Sequence, residues 1–418
     1  MDRVAVVGGG LAGLVAARRL AERGIDVELF EATDRLGGRV GSDELDGFIL
    51  DRGFQVLFPS YPAVRRELDL DALALRSFAP GAVLARPNER SVLADPFRDP
   101  GAVTASLFNR EVTFEDKLRV LWLRHRLASR STEEILTHDD RTIATALEDW
   151  GFSEKFRRAF AAPFLGGITL DRELSTAAFV FEYAFKMLAT ANAAVPAAGM
   201  QAIPDQLAAR AREAGASIHL SRPVEALAID DGVILSTDGG DATADAAIVA
   251  TDPETASRLT GLSDLPTATR GCVTQHFALP STQHLDCGRR LILNATTDRP
   301  NHVALVSAVS ERYAPADRRL LSATFLGQPE GTDEALAAEV REALSSWYPE
   351  ANFAGLELLD THRIPDAQLV QPPGFRSTVP EPGAPDGPIV LAGDYTRWSA
   401  IQGALESGRQ AVEALRMT

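Results

Sequence analysis

The stretch Arg3-Val4-Ala5-Val6-Val7-Gly8-Gly9-Gly10-Leu11-Ala12-Gly13 carries the reading of the fold. Its first five residues have the character of a short buried strand, and the Ala/Leu-rich run opening at Leu11 reads as a helix halted at Gly24. Ile25-Asp26-Val27-Glu28-Leu29-Phe30-Glu31 reads as a second strand. Such a β-α-β unit forces a parallel strand pair with a right-handed crossover and so begins an open α/β sheet. The G-x-G-x-x-G pattern falls at the junction of strand and helix. Gly8 permits the tight turn, Gly10 lets backbone approach a pyrophosphate, Gly13 lets helix and strand pack closely, and the helix N-terminus attracts phosphate. Ala12 lies within the same motif and joins these glycines as a candidate binding position. Glu31 ends the second strand, where a carboxylate can accept hydrogen bonds from ribose hydroxyls. A turn that merely needed glycine would give Glu31 no role.

Composition narrows the function classes. The chain has 418 residues, room for two domains and a large core. With 42 Lys and Arg against 58 Asp and Glu, the net charge of −16 argues against a nucleic-acid partner, whose phosphates call for surplus cations. Only Lys117, Lys155 and Lys186 are lysines, which leaves few candidates for an amine base. Cys272 and Cys287 fit neither a disulfide scaffold nor a metal pattern, and the seven histidines form no i,i+4 pair, so no metal site is expected. No uninterrupted apolar run reaches the ~18 residues of a membrane span. The expected location is cytoplasmic, with peripheral membrane contact left open.

Further along, residues 61–192 read as helical, with stretches at 114–130, 142–150, 153–162 and 175–189 and almost no strand signal. Strands return at 217–220, 224–229, 233–236 and 246–250, and again at 272–278, 290–294, 303–309 and 320–325. A helix over 333–347 precedes a strand at 356–361, and a Pro/Gly-rich loop leads into a strand from Ile389 and a last helix from about Ala400.

Asp34-Arg35-Leu36-Gly37-Gly38-Arg39-Val40 adds a second glycine pair and an arginine able to neutralise the same pyrophosphate. The glycine turn, Glu31 and this segment, in this order, resemble the flavin-containing amine oxidase superfamily, and the resemblance implies FAD, with Gly38 and Arg39 beside it. Leu50-Asp51-Arg52-Gly53-Phe54-Gln55 resembles the family segment that passes the isoalloxazine ring, nominating Gly53, Phe54 and Gln55. Val224 falls where the family's backbone commonly meets adenine. Leu391-Ala392-Gly393-Asp394-Tyr395-Thr396, followed by Ala400-Ile401-Gln402-Gly403, resembles the family's C-terminal signature. The resemblance puts Gly393 and Asp394 near the ribityl-phosphate region and turns the helix N-terminus at Ile401 and Gln402 toward the N1/O2 edge, which becomes negative on reduction. This A-G-D-Y-T form looks most like the phytoene and carotenoid desaturase branch, with protoporphyrinogen oxidase-like relatives. Amine-oxidising relatives often place a lysine near flavin N5, whereas residues 270–361 contain none. No cysteine lies near the C-terminal signature, so FAD is expected to be non-covalent.

The resemblance implies an α/β fold: an FAD-binding Rossmann-like domain of glutathione-reductase type over 1–64, 193–269 and 370–418, interrupted by an α+β substrate-binding domain over 65–192 and 270–369. It implies an FAD-dependent oxidoreductase that moves hydride from a substrate C–H to flavin N5 and leaves a C=C bond in a hydrophobic, isoprenoid or polyene-like compound. Redox-neutral isomerisation, protoporphyrinogen-type or amine oxidation, and a flavin-bound lipid or scaffold protein stay open as alternatives. The sequence names no catalytic side chain. The many aromatic residues from Phe97 through Phe108 to Phe185 favour a mainly apolar cavity running from Gly53, Phe54 and Gln55, without paired acids or metal at its inner end. His362 either faces that cavity or is an ordinary structural histidine. The 116–130 stretch carries five basic residues besides His125, which suits either a membrane surface or a packed helix with snorkelled arginines.

Overall fold

The computed structural model describes residues 1–95, 98–99, 101, 109, 111–137, 140–297, 299–385 and 387–415. Phe97 and Phe108, named above, lie outside the described residues. The expected α/β class holds. Five parallel strands form one sheet in the order Ile389–Leu391, Ala246–Val249, Arg3–Val7, Asp26–Phe30 and Ser217–His219. The strand that opens the chain is central, and Val4, Ala5, Val6 and Val7 are all buried, as a parallel strand covered on both faces requires. Its glycine turn therefore lies at the carboxyl end of the sheet's middle, where doubly wound sheets bind ligands.

The Leu11–Ala21 helix crosses back over this sheet between the Ala202–Glu213 and Ile401–Ala414 helices. Its contact with the last helix is close enough to demand glycine: a Cβ on Gly408 would lie 2.2 Å from the carbonyl oxygen of Ala12. Arg18 on the same helix is buried and neutralised by the buried carboxylate of Glu67, which also receives Arg19 Nη2 at 2.6 Å. That pairing ties the Pro62–Glu67 helix to the sheet's first helix.

A second, mixed sheet of seven strands runs in the order Glu357–Leu369, Thr269–Pro280, Arg318–Leu326, His302–Ala304, Leu291–Asn294, Ala82–Arg86 and Glu89–Leu93. Period-two alternation sorts its two faces. Val273, Phe277 and Leu279, with Leu321, Ala323 and Phe325 on the paired strand, pack against Leu336, Val340, Leu344 and Trp347 of the Asp333–Trp347 helix. The intervening His276, Leu320 and Ser322 point the other way, toward the Phe48–Asp51 strand and the cavity below it.

Several local expectations are corrected. Residues 61–192 are not free of strands: Arg76–Ser77 pairs with Ala194–Val195, and the hairpin Ala82–Arg86/Glu89–Leu93 completes the large sheet, turning at Asn88 with φ +61°. The expected 303–309 strand stops at Ala304 and becomes a short helix over Val306–Val309, because a Val/Ala/Leu run of that length suits either state. The 153–162 helix contains a π turn at Arg157–Ala161, around which the rings of Phe152, Phe156, Phe160 and Phe164 stay in file with centroids 4.5, 5.3 and 5.2 Å apart. Among the described residues, no helix is long and apolar enough to cross a membrane.

Candidate cofactor and substrate site

The glycine turn is shaped by close approaches of backbone. Gly8 has φ +108°, and a Cβ there would stand 2.6 Å from the carbonyl oxygen of Ala250. A Cβ on Gly13 would lie 1.9 Å from the carbonyl oxygen of Gly8, which is the close helix–strand packing expected of it. Gly10 differs, because no protein atom lies within 4 Å of where its Cβ would be. Across the same opening, a Cβ on Gly38 would meet only Gly10 Cα, at 3.5 Å. The cradle between these glycines adjoins the N-terminus of the first helix, where Gly10 is the N-cap and no side chain caps the free N–H groups. Ala12 sits in that first turn with its side chain buried.

Glu31 closes one side of the cradle. Its Oε2 accepts the Gly9 N–H at 2.7 Å, and its Oε1 accepts the Thr33 N–H at 2.9 Å and the Thr33 hydroxyl at 2.8 Å. A carboxylate offers about four acceptor positions, so capacity for a ribose hydroxyl remains. The backbone of Arg222 donates to the Glu31 carbonyl at 2.8 Å, which brings buried Val224 to the same end of the site.

On the other side, Arg39 Nη2 donates to Asp394 Oδ1 at 2.6 Å, and Ser399 Oγ donates to Asp394 Oδ2 at 2.7 Å. Gly393 precedes this acid with φ +151°, its N–H donating to Ser407 Oγ at 2.8 Å. Ile401 opens the last helix, whose N-cap, Ala400, makes no side-chain cap. Gln402 spends its side chain elsewhere: its Oε1 accepts the buried Ala63 N–H at 2.8 Å, leaving only its backbone at the helix terminus. These residues fit a dinucleotide. The fit lies in a cradle that a Cβ on Gly10 would fill and two uncapped helix N-termini, with an acid beside the glycine turn.

Gly53, Phe54 and Gln55 line a narrow cavity, and Gln55 is bonded to the Arg39 backbone. Gly53 has φ +79°, and a Cβ on it would meet Ile364 Cδ1 at 3.1 Å and Cys272 Sγ at 3.9 Å. Gln55 Nε2 donates to the carbonyls of Arg39 and Arg52, at 2.7 and 2.9 Å. Phe54 stands edge-on to buried His302, ring centroids 4.9 Å apart. Val195, Val306 and Leu320 continue the lining, and Asp51, Tyr313 and Ser322 give the cavity a polar end.

That polar end was not legible beforehand. Asp51 is buried, and its Oδ1 accepts from Ser42 Oγ at 2.6 Å and the Met200 N–H at 2.9 Å, while its Oδ2 accepts from the Tyr313 hydroxyl at 2.8 Å. Burial lifts the Asp51 carboxyl to about 6, against the downward pull of those three bonds. His276 Nε2 lies 3.1 Å from the Asp51 carbonyl and its Nδ1 2.9 Å from Ser322 Oγ. Burial pushes His276 down to about 3 and His302 down to about 4, so both are neutral near pH 7. His362 touches this group from outside the cavity, Nδ1 3.3 Å from the same Asp51 carbonyl and Nε2 3.1 Å from Asp360 Oδ2. The available signal was a polar residue at alternate positions of strands otherwise buried on both faces, His276 and Ser322, each of which needs a partner.

Comparison with known proteins adds the chain's relatives. The zeta-carotene-forming phytoene desaturase of Myxococcus xanthus is 29% identical over 268 residues, 55% of this chain and 49% of that protein. The phytoene dehydrogenase of Streptomyces griseus is 30% identical over 291 residues, 62% of this chain and 56% of that protein. The matched stretches thus span about half the length of these two relatives. Among solved structures, an oxidoreductase from Methanosarcina mazei superposes with a TM-score of 0.75 at 19% identity, covering 100% of each chain, which is a likeness of fold. The family described as flavin containing amine oxidoreductase matches residues 11–416, from the first helix beyond the glycine turn to the end of the last. With cradle, acid and C-terminal signature all inside one fold of this kind, the chain belongs to the flavin containing amine oxidoreductase family, and the expectation of an FAD oxidoreductase stands with that membership.

Proposed function

We propose that this protein dehydrogenates a hydrophobic, isoprenoid or polyene-like compound, creating a C=C bond. The observation that carries the reading is the apolar side of the cavity at Gly53, Phe54 and Gln55, formed by Val195, Val306 and Leu320; the space enclosed is about 10 Å³ and would have to widen to admit a hydrocarbon chain. Two relatives whose names specify phytoene support it, as does the lack of lysine between 270 and 361. Bound FAD supplies the two-electron acceptor for hydride at N5. Gly8, Gly10, Ala12, Gly13, Glu31, Gly38, Arg39 and Val224 hold its adenosine and pyrophosphate; Gly393, Asp394, Ile401 and Gln402 hold its ribityl and pyrimidine end. Gly53, Phe54 and Gln55 would pass beside its isoalloxazine ring where the substrate cavity begins. The cofactor-binding part comprises 1–64, 193–269 and 370–418, and 65–192 with 270–369 builds the substrate part.

The test is anaerobic mixing of the holoprotein with phytoene in detergent micelles, followed by absorbance near 450 nm and mass analysis. Bleaching with loss of two hydrogens is expected. Bleaching by putrescine or protoporphyrinogen instead, or isomerised phytoene without net bleaching, would replace this reading with the corresponding alternative. A flavin spectrum that none of these compounds perturbs would favour a scaffold.

The same reading includes peripheral contact with a membrane, from which such a substrate would be drawn. On the Phe114–Ala128 helix, Phe114, Leu118 and Trp122 are 61%, 50% and 44% exposed at i, i+4 and i+8, an apolar stripe turned outward. The Arg126 guanidinium lies over the Trp122 ring, 5.3 Å from its centroid, placing a cation beside the stripe.

A further inference from the structure

We propose that Asp51, with Tyr313 as its hydrogen-bonded partner, is the proton acceptor at the inner end of the cavity. The inference rests on the oxidative reading above and assigns to this chain the half of the reaction that a hydride acceptor leaves undone. Converting CH–CH into C=C releases one hydrogen as hydride and the neighbouring one as a proton, while the electron pair of the second C–H bond becomes the π bond. Bound FAD would supply the hydride acceptor, which leaves the proton to a base of this chain within reach of the substrate.

The cavity wall offers one anionic candidate. Of its side chains, those of Phe54, Val195, Val306 and Leu320 carry no base, Gly53 has no side chain, and the Gln55 amide is already donating to two carbonyls. Tyr313 and Ser322 bear hydroxyls that must pass on any proton they gain. The Tyr313 hydroxyl is bonded to Asp51 Oδ2 at 2.8 Å, so a proton arriving at Tyr313 ends on Asp51. Ser322 leads instead to His276 Nδ1, on a ring that burial keeps neutral.

The carboxylate is also held in place. Ser42 and the Met200 N–H fix Oδ1, which leaves Oδ2 facing Tyr313. His276 and His362 converge on the Asp51 carbonyl from two adjacent strands of the large sheet, fixing the backbone that carries it. The charged groups around it are spoken for. Asp43 on the Ser42–Leu45 strand is paired with Arg52 at 2.8 Å, and Asp360 stands 3.1 Å from His362 Nε2. The upward displacement of the Asp51 carboxyl to about 6 is in keeping with a group that takes and releases a proton near neutrality.

The experiment uses FAD-loaded wild type, Asp51→Asn and Tyr313→Phe. Infrared difference spectra without substrate, from pH 4.5 to 8, should show a buried carboxyl band titrating near pH 6 that is missing from Asp51→Asn. With phytoene as substrate, the bleaching rate of the wild type should rise with pH through the same midpoint. Asp51→Asn should slow it about 10²–10⁴-fold and flatten the pH profile, with flavin content and visible spectrum unchanged. Tyr313→Phe removes a bond that favours the ionised carboxylate, so its midpoint should move upward; this variant carries the test if Asp51→Asn does not fold. Wild-type rate and pH profile in Asp51→Asn, or an unmoved midpoint in Tyr313→Phe, would overturn the assignment while leaving the oxidative reading intact. A wild type that phytoene does not bleach would overturn the dehydrogenation reading itself, and the catalytic role with it.

Discussion

A methyl group on Gly13 would stand 1.9 Å from the carbonyl oxygen of Gly8, whereas one on Gly10, between them in the same turn, would touch no protein atom within 4 Å. The fold therefore demands glycine at Gly13, whereas no protein atom demands it at Gly10, which is what the proposed cofactor role of Gly10 requires. Gly13→Ala should cost more than ~3 kcal/mol, the upper range for overpacking, because the atom it strikes is backbone. Gly10→Ala, at φ −71°, should leave the melting temperature of the apoprotein unchanged yet abolish flavin retention. Thermal unfolding of both variants, each with and without added FAD, checks the contrast.

Glu31→Gln should weaken FAD binding by ~1.5–3 kcal/mol, about 10- to 150-fold, through loss of a charge-assisted bond. Because Glu31 also accepts the Gly9 N–H, part of that loss should appear as a looser turn. Equilibrium titration of the apoproteins with FAD, followed by flavin fluorescence, gives the ratio; equal affinities would remove Glu31 from the binding set.

Stability should fall as the medium is acidified from pH 6.5 to 4. His276 and His302 have folded values of about 3 and about 4, below the ordinary histidine value, so the unfolded chain binds more protons across this window. The stability they contribute is present above about pH 6.5 and lost as pH drops. Asp51, raised to about 6, acts in the opposite sense: it stabilises below its unfolded value, and that contribution is lost as pH rises through 6. Two histidines outweigh one acid. His302→Asn should flatten the decline by on the order of 1 kcal/mol per pH unit, read as urea midpoints at pH 4.5, 5.5 and 6.5. Parallel lines for variant and wild type would show that His302 is not the neutral buried ring inferred from its surroundings.

Leu118→Ser with Trp122→Ser should release the protein from lipid vesicles containing about one-third phosphatidylglycerol. Each side chain forfeits ~1.5–3 kcal/mol of burial in the interface, so the pair should weaken flotation by at least about tenfold. Co-sedimentation unaffected by the double substitution would refute the docking face.

How much could be read from sequence depended on how local each feature is. The β-α-β unit, the placing of the glycine turn between strand and helix, and the Asp333–Trp347 helix were legible because period and turn chemistry within a dozen residues decide them. The hairpin at Ala82–Leu93 was missed because its turn depends on Asn88 adopting φ +61°, inside a span dominated by helical signals. Asp51 and Tyr313 were beyond reach for another reason. They lie 262 residues apart, and only the assembly of both sheets brings the hydroxyl to the carboxylate. Arg39 and Asp394, though 355 residues apart, were both nominated because each sits in its own recognisable segment, and their direct bond is what the structure adds.

The close contact of Gly408 with Ala12 means that the first helix finishes its packing only with the last one. At the ~5–20 residues per second of synthesis, the N-terminal turn waits on the order of 20–80 s for that partner. Until then the side of the first helix around Ala12 and Val15 lacks the cover that Gly408 and its helix supply. A cofactor site that uses both the glycine turn and the last helix can therefore be completed only after elongation has delivered residues 401–414.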